Sequence, residues 1–146
     1  MRWLFLFLVL GLVACGGGER LEVRQFHMRQ SAVERGNDFI AAEQKFRLYG
    51  AVTAEERELR KGQYFLVRWR ELQSRKPVKM IMETRRAGSG ARIIHRTVNL
   101  GEQMSGKHEF AFAGKDYEKN GRVTAWRIRL LQGGKEVARK QSFLWE

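Results

Sequence analysis

Apolar and polar positions alternate with a period of two through most of the chain after Leu21, and turn-forming residues interrupt them roughly every 8 to 14 residues. That is the pattern of a multi-stranded antiparallel sheet with one buried face. Within 63–71, Phe65, Val67 and Trp69 fall on one side and Tyr64, Leu66, Arg68 and Arg70 on the other. Within 123–131, Trp126, Ile128 and Leu130 oppose Arg127 and Arg129. Phe110 and Phe112 alternate in 107–113, and Val78, Met80 and Met82 alternate after Pro77, whose missing N–H suits the start of a strand. Gly133-Gly134 predicts a tight hairpin turn between 123–131 and 136–145, because two-residue hairpin turns demand positive φ. Ala87-Gly88-Ser89-Gly90 separates a strand at 79–86 from one at 92–100. A further strand over 43–53 would supply Phe46, Leu48 and Val52 to the core, and 21–28 reads as a first strand with a bulge between Val23 and Phe26. The total is about eight strands.

Two segments break the alternation. Thr53-Ala54-Glu55-Glu56 has capping-box spacing, with basic residues at Arg57, Arg60 and Lys61 and then Gly62, which predicts one short connecting helix near 54–61. Residues 31–39 are polar and contain Gly36-Asn37-Asp38, so they read as a loop, with room for a helical turn at 39–42. The strand count and turn spacing predict an all-β fold, an immunoglobulin-like or fibronectin-III-like antiparallel β-sandwich of about seven or eight strands. Trp69 occupies a place comparable to the core tryptophan on the third strand of an immunoglobulin domain.

The first residues follow a different pattern. Arg2 precedes an unbroken apolar run from Trp3 to Leu10, too short to span a bilayer and suited to a signal peptide. Ala14 satisfies an ordinary cleavage site, but Leu12 is too large for the position two residues earlier. Leu12-Val13-Ala14-Cys15 instead resembles the bacterial lipobox at all four positions. That resemblance implies a signal peptide over 1–14, lipid on the Cys15 thiol and cleavage that leaves Cys15 first in the mature chain. It also implies a diacylglyceryl thioether, usually with an N-acyl chain, and two or more acyl chains hold a protein permanently where one does not. Gly16-Gly17-Gly18 then makes 15–20 a tether and 21–146 the single domain. About five residues separate Cys15 from Leu21, a reach of roughly 17 Å. Glycine rather than aspartate after Cys15 implies, by the sorting rules of proteobacterial lipoproteins, delivery to the outer membrane. Cys15 is also the only cysteine in the 146 residues, so an exported domain must be stable without a disulfide.

Formal charge is +12 for the whole chain. Loss of 1–14, which carries only Arg2, leaves +11, from 27 basic and 16 acidic side chains. Such a balance favours an acidic partner or an anionic surface. If 63–71 and 123–131 are the third and sixth strands of an immunoglobulin-like sandwich, they are neighbours, and Arg68, Arg70, Arg127 and Arg129 share one outward face that Lys79 and Arg85 extend. Clustered guanidinium groups suit phosphate or carboxylate. Glu71 and Glu83 are read as facing the core, away from these arginines.

Catalytic and metal chemistry lack a signature. His27, His95 and His108 have no second ligand at metal spacing, Asp38 and Asp116 sit in expected loops, and Glu55, Glu56 and Glu58 are explained by helix capping. No nucleophile elbow, phosphate loop or dinucleotide fingerprint occurs. The expectation is no enzyme activity, no cofactor, no metal and no nucleic acid, since the aromatics are needed for the core.

Arg47-Leu48-Tyr49-Gly50-Ala51-Val52-Thr53, Gly62-Gln63-Tyr64 leading to Trp69, and the ending from Gly133-Gly134-Lys135 through Phe143-Leu144-Trp145 resemble a group of uncharacterised bacterial lipoproteins over most of the mature chain. The resemblance supports an anchor and a sandwich and brings no activity. The leading expectation is a noncatalytic envelope interaction module whose basic face meets anionic lipid, glycan or an acidic protein. The alternative is an assembly subunit that adds an edge strand to a larger complex, using Phe143-Leu144-Trp145 as its apolar contact, and a third, less favoured reading is an envelope enzyme whose carboxylates converge from loops.

Overall fold

The computed structural model describes residues 19–29, 38–73 and 75–145. Cys15, the expected signal peptide and most of the 31–39 loop lie outside them. Strands β1 (Leu21–Met28), β2 (Gly62–Trp69) and β5 (Gly106–Ala113) form sheet A in the order β1-β2-β5. Strands β3 (Val78–Arg86), β4 (Ile93–Gly101), β6 (Val123–Gln132) and β7 (Lys135–Gln141) form sheet B in the order β4-β3-β6-β7. Every pairing is antiparallel, and the chain changes sheet at β2 to β3, β4 to β5 and β5 to β6. The fold is the expected immunoglobulin-like β-sandwich.

The inward phases read from the sequence meet between the sheets. Phe65, Val67, Trp69, Phe110 and Phe112 from sheet A pack on Met80, Met82, Ile128 and Leu130 from sheet B, all nearly or fully buried. Phe65 makes edge contacts with Phe112 and Trp126 at centroid distances of 5.8 and 5.7 Å. Gly106 lies opposite Trp69, where a Cβ would come within 2.5 Å of the indole, so only glycine lets β5 run past that ring. Gly133 and Gly134 take φ of 57° and 79° in the β6–β7 hairpin, as the turn requires. Two buried glutamines act as extra peptide groups. The Gln63 amide on β2 bonds both the N–H and the carbonyl of Val123 on β6, tying the sheets together. The Gln132 amide does the same for Gln73. Each satisfies a backbone donor and acceptor that would otherwise lack partners.

Helix α2 (Ala54–Glu58) forms where the capping box predicts it, with Thr53 Oγ1 accepting from the Glu56 N–H and the Glu56 carboxylate accepting from the Thr53 N–H. Two further helices go beyond the expectation, although the first contains the helical turn allowed at 39–42. Helix α1 (Asp38–Leu48) replaces most of the strand read over 43–53. Its residues favour a helix: Asp38 opens it, Lys45 and Arg47 close it, Ala41 and Ala42 are good helix formers, and Glu43 pairs with Arg47 one turn on at 2.6 Å. Phe46 and Val52 are therefore exposed rather than core residues. Helix α3 (Gly114–Asn120) fills the β5–β6 connection. Strand β1 pairs with β2 in unbroken register, so the expected bulge is absent. The apolar phase changes instead because the outer face of β1 carries Phe26, whose ring centroid lies 5.4 Å from the Arg47 guanidinium of α1, and the buried Met28.

Candidate functional site

The four arginines read as one face are divided between two sheets. Loss of the 43–53 strand makes 62–69 the second strand instead of the third, so β2, with Trp69, lies in sheet A while β6 lies in sheet B. Arg68 and Arg70 thus stand on the far side of the molecule from Arg127 and Arg129. Lys79 and Arg85 do share the outer face of sheet B with Arg127 and Arg129, but so does Glu83, which alternates in phase with Lys79 and Arg85. Its core-ward reading is corrected by that parity.

Glu83 organises the outer face of sheet B. It sits opposite Arg127 on β6 and His95 on β4. Arg127 Nε donates to Glu83 Oε2, Arg129 Nε lies 3.4 Å from the same oxygen, and His95 Nδ1 lies 3.6 Å from Oε1. The side chains bury the carboxylate to 5% exposure. The Arg127 hydrogen bond, against the cost of burial and with the charges of Arg127, Arg129 and His95, holds the Glu83 carboxyl below the usual glutamate range. Trp145 closes this face, its ring centroid 5.0 Å from the guanidinium carbons of both Arg85 and Arg127. Trp145 is 5% exposed, so of the apolar chain end only Phe143 and Leu144 project.

Sheet A differs at its outer surface. Arg68 sits between Glu22 on β1 and Lys107 on β5, and the adjacent row is Arg24, Leu66 and Glu109. Arg24 turns to Glu22 at 2.7 Å, and Arg70, just past the strand, donates to the Glu19 carbonyl at 3.1 Å. Arg68 and Lys107 form no ion pair among the described residues and are exposed. This cationic row lies at the Leu21 end of sheet A, beside the start of the domain.

Toward the other end, α1 rests on the same outer surface through a polar contact. The Arg47 guanidinium stacks 3.8 Å from the Tyr64 ring centroid and 5.4 Å from that of Phe26, and forks onto Glu109 at 2.8 and 3.1 Å. Gln44 is buried on that side. The outward side carries Phe46 at 75% exposure and Tyr49 at 86%, with Phe39 a further two turns back and Val52 just beyond. The aromatics point out while Arg47, Glu43 and Gln44 point in, the reverse of an ordinary surface helix in those residues. The 3.6-residue spacing of Phe39, Phe46 and Tyr49 was visible in the sequence; reading Phe46 and Val52 as one face of a strand hid it.

Other polar clusters serve the fold. Arg86, buried at the end of β3, bonds Asp116 Oδ2 at 3.0 Å and the Gly121 carbonyl at 2.7 Å, so it pins both ends of α3. Burial pulls the Asp116 carboxyl up, but hydrogen bonds from Arg86 and Asn120 and the charges of Arg86 and Arg96 outweigh it and leave the pKa lowered. His27 Nε2 lies 2.7 Å from the Tyr117 hydroxyl, and burial, with Arg29 and Arg122 nearby, lowers the His27 pKa. A cleft of about 660 Å³ lies near Arg20, Leu72, Lys76, Gln132, Lys135 and Glu136. Its Glu136 is paired with Arg139 at 3.1 Å. Among the described residues no group of three or more His, Cys, Asp or Glu could hold a metal, and no helix is long and apolar enough to cross a membrane. No family model, curated protein or solved structure matches the chain.

Proposed function

We propose that the chain is a bacterial envelope lipoprotein, lipidated on Cys15, held in the outer membrane and acting as a noncatalytic interaction module for an anionic partner. The observation that supports it is the cationic row Arg68 and Lys107, with Arg24 and Arg70 beside it, at the end of sheet A where the tether joins the domain. Of these, Arg68 and Lys107 form no ion pair among the described residues, and exposed charges of that kind cost little in water and gain when an anion arrives. The row replaces the broader face expected from sequence, since Arg127 and Arg129 already have Glu83.

Radiolabelled palmitate should enter the wild-type chain and not Cys15→Ser, whose product should retain residues 1–14. A processed, membrane-bound Cys15→Ser product would overturn the anchor. Density-gradient fractions should place the wild type with the outer membrane. Crosslinking in the native envelope should capture an acidic partner that the double variant Arg68→Glu/Lys107→Glu loses, and an unchanged pattern would overturn the cationic row. The alternative of strand addition rests on Phe143, 93% exposed beyond edge strand β7, and predicts loss of crosslinks in Phe143→Ser instead.

A further inference from the structure

We infer that the outward side of the last turn of α1 and the turn after it, with Phe46 and Tyr49, is seated in the headgroup region of the membrane that carries the anchor, so that the domain lies with sheet A toward the bilayer. The inference rests on the anchored-lipoprotein reading and adds the lipid surface as the occupant of a specific helix face.

The first support is the inversion of the helix. Arg47, Glu43 and Gln44 make the contact with sheet A or face it, while Phe46 and Tyr49 face away, 75% and 86% exposed, with Val52 at 80%. Lys45, adjacent to Phe46, is also exposed. Phe and Tyr beside Lys on one side of a helix suit the interface of a bilayer, where an apolar body and a polar tip are both accommodated.

The second support is placement. Strand β1 is an edge of sheet A, and Glu19 just before it is held by Arg70 beyond β2 and by Lys140 on β7, so the chain toward the anchor leaves the domain at the β1 edge, beside the neighbouring edge of sheet B. A helix with its side chains is about 10–12 Å thick. From Glu19 back to Cys15 four residues reach roughly 14 Å. Acyl chains on Cys15 can therefore enter the bilayer while the outer side of α1 rests on it.

Charge is the third. With sheet A facing the bilayer, Arg68 and Lys107 approach the headgroups at the tether end, and both lack an ion-pair partner among the described residues. Sheet B, whose outer cations surround Glu83, would face away. An anionic bilayer satisfies the aromatic end and the cationic end together, whereas a second copy would bring like charges face to face.

The test exploits the acylated state of the only cysteine, because an added cysteine then carries the only free thiol. Ala42, exposed on α1 between Phe39 and Phe46, is replaced in Ala42→Cys, and Arg139 on the opposite sheet in Arg139→Cys. Each lipidated, full mature protein is nitroxide-labelled and reconstituted in vesicles of phosphatidylethanolamine and phosphatidylglycerol, with Cys15 acylation verified by mass spectrometry. The label at 42 should collide several-fold more with membrane-dissolved oxygen than with an aqueous nickel chelate, relative to the label at 139. Adding Phe46→Ser and Tyr49→Ser should return it to the aqueous ratio with an unchanged circular dichroism spectrum. An aqueous label at 42 in acylated protein would overturn the inference while leaving the anchor intact. Shielding from both reagents would also overturn it, because a protein would then be the occupant. Missing acylation would overturn the lipoprotein reading itself.

Discussion

The outer faces of the two sheets carry similar residues and do opposite things with them. On sheet B, Arg127 and Arg129 converge on a carboxylate that they bury, and Trp145 lies across Arg85 and Arg127. On sheet A, Arg68 and Lys107 stand side by side with no buried carboxylate shared between them, while Arg24 pairs with Glu22 and Arg47, from the helix laid over the sheet, takes Glu109. Cation content therefore does not identify a binding face. What distinguishes the two is a buried carboxylate shared by two arginines on one, and on the other only the more exposed carboxylates of Glu22 and Glu109, neither of which pairs with Arg68 or Lys107.

If that contrast is right, sheet B side chains hold the fold and sheet A cations do not. The largest effect is expected from Glu83→Ala, which leaves Arg127 and Arg129 side by side on β6 without their shared carboxylate and should cost about 3 kcal/mol in urea unfolding. A loss below about 0.5 kcal/mol would break the comparison. Trp145→Ala should come next, at about 2 kcal/mol, since it uncovers both arginine stems and the sheet beneath. Its unfolding slope should stay unchanged if only the chain end is released.

A smaller change is expected with pH. The His27 pKa is lowered in the folded state, mainly by burial, so folding favours the neutral ring. That contribution is complete above the ordinary histidine range and is lost as pH falls through the lowered folded value, so the melting temperature should decline between about pH 7 and about pH 5. His27→Gln should flatten this part of the profile. A melting temperature that rises on acidification in that interval would contradict the sign. The smallest effect belongs to Arg68→Ala and Lys107→Ala, each within about 0.5 kcal/mol of wild type by thermal or urea unfolding. A larger loss would mean that these cations serve the fold after all.

Residues whose neighbours lie close in sequence were the legible ones. Thr53 and Glu56 form their cap in the sequence and in the structure, Gly133-Gly134 turns as its φ angles require, and the alternation around Phe65, Phe110 and Ile128 marks the faces that meet in the core. Helix α1 was misread because Phe46, Leu48 and Val52 fit a strand by spacing, while the contacts that favour a helix, Arg47 with Tyr64 and Glu109, come from β2 and β5. That one substitution of helix for strand moved β2 into the other sheet and divided the predicted arginine face.

The sequence alone determined the sandwich class, the inward phase of its main strands, the short capped helix and the lipobox expectation at Cys15, because each depends on local sterics, periodicity or a contiguous motif. Only the tertiary structure decided which strands are neighbours, that Glu83 neutralises one set of arginines, and that α1 shows its aromatic side to the outside. Those depend on which distant surfaces meet, and the energy of a charged or aromatic side chain is set by the groups brought against it rather than by its place along the chain.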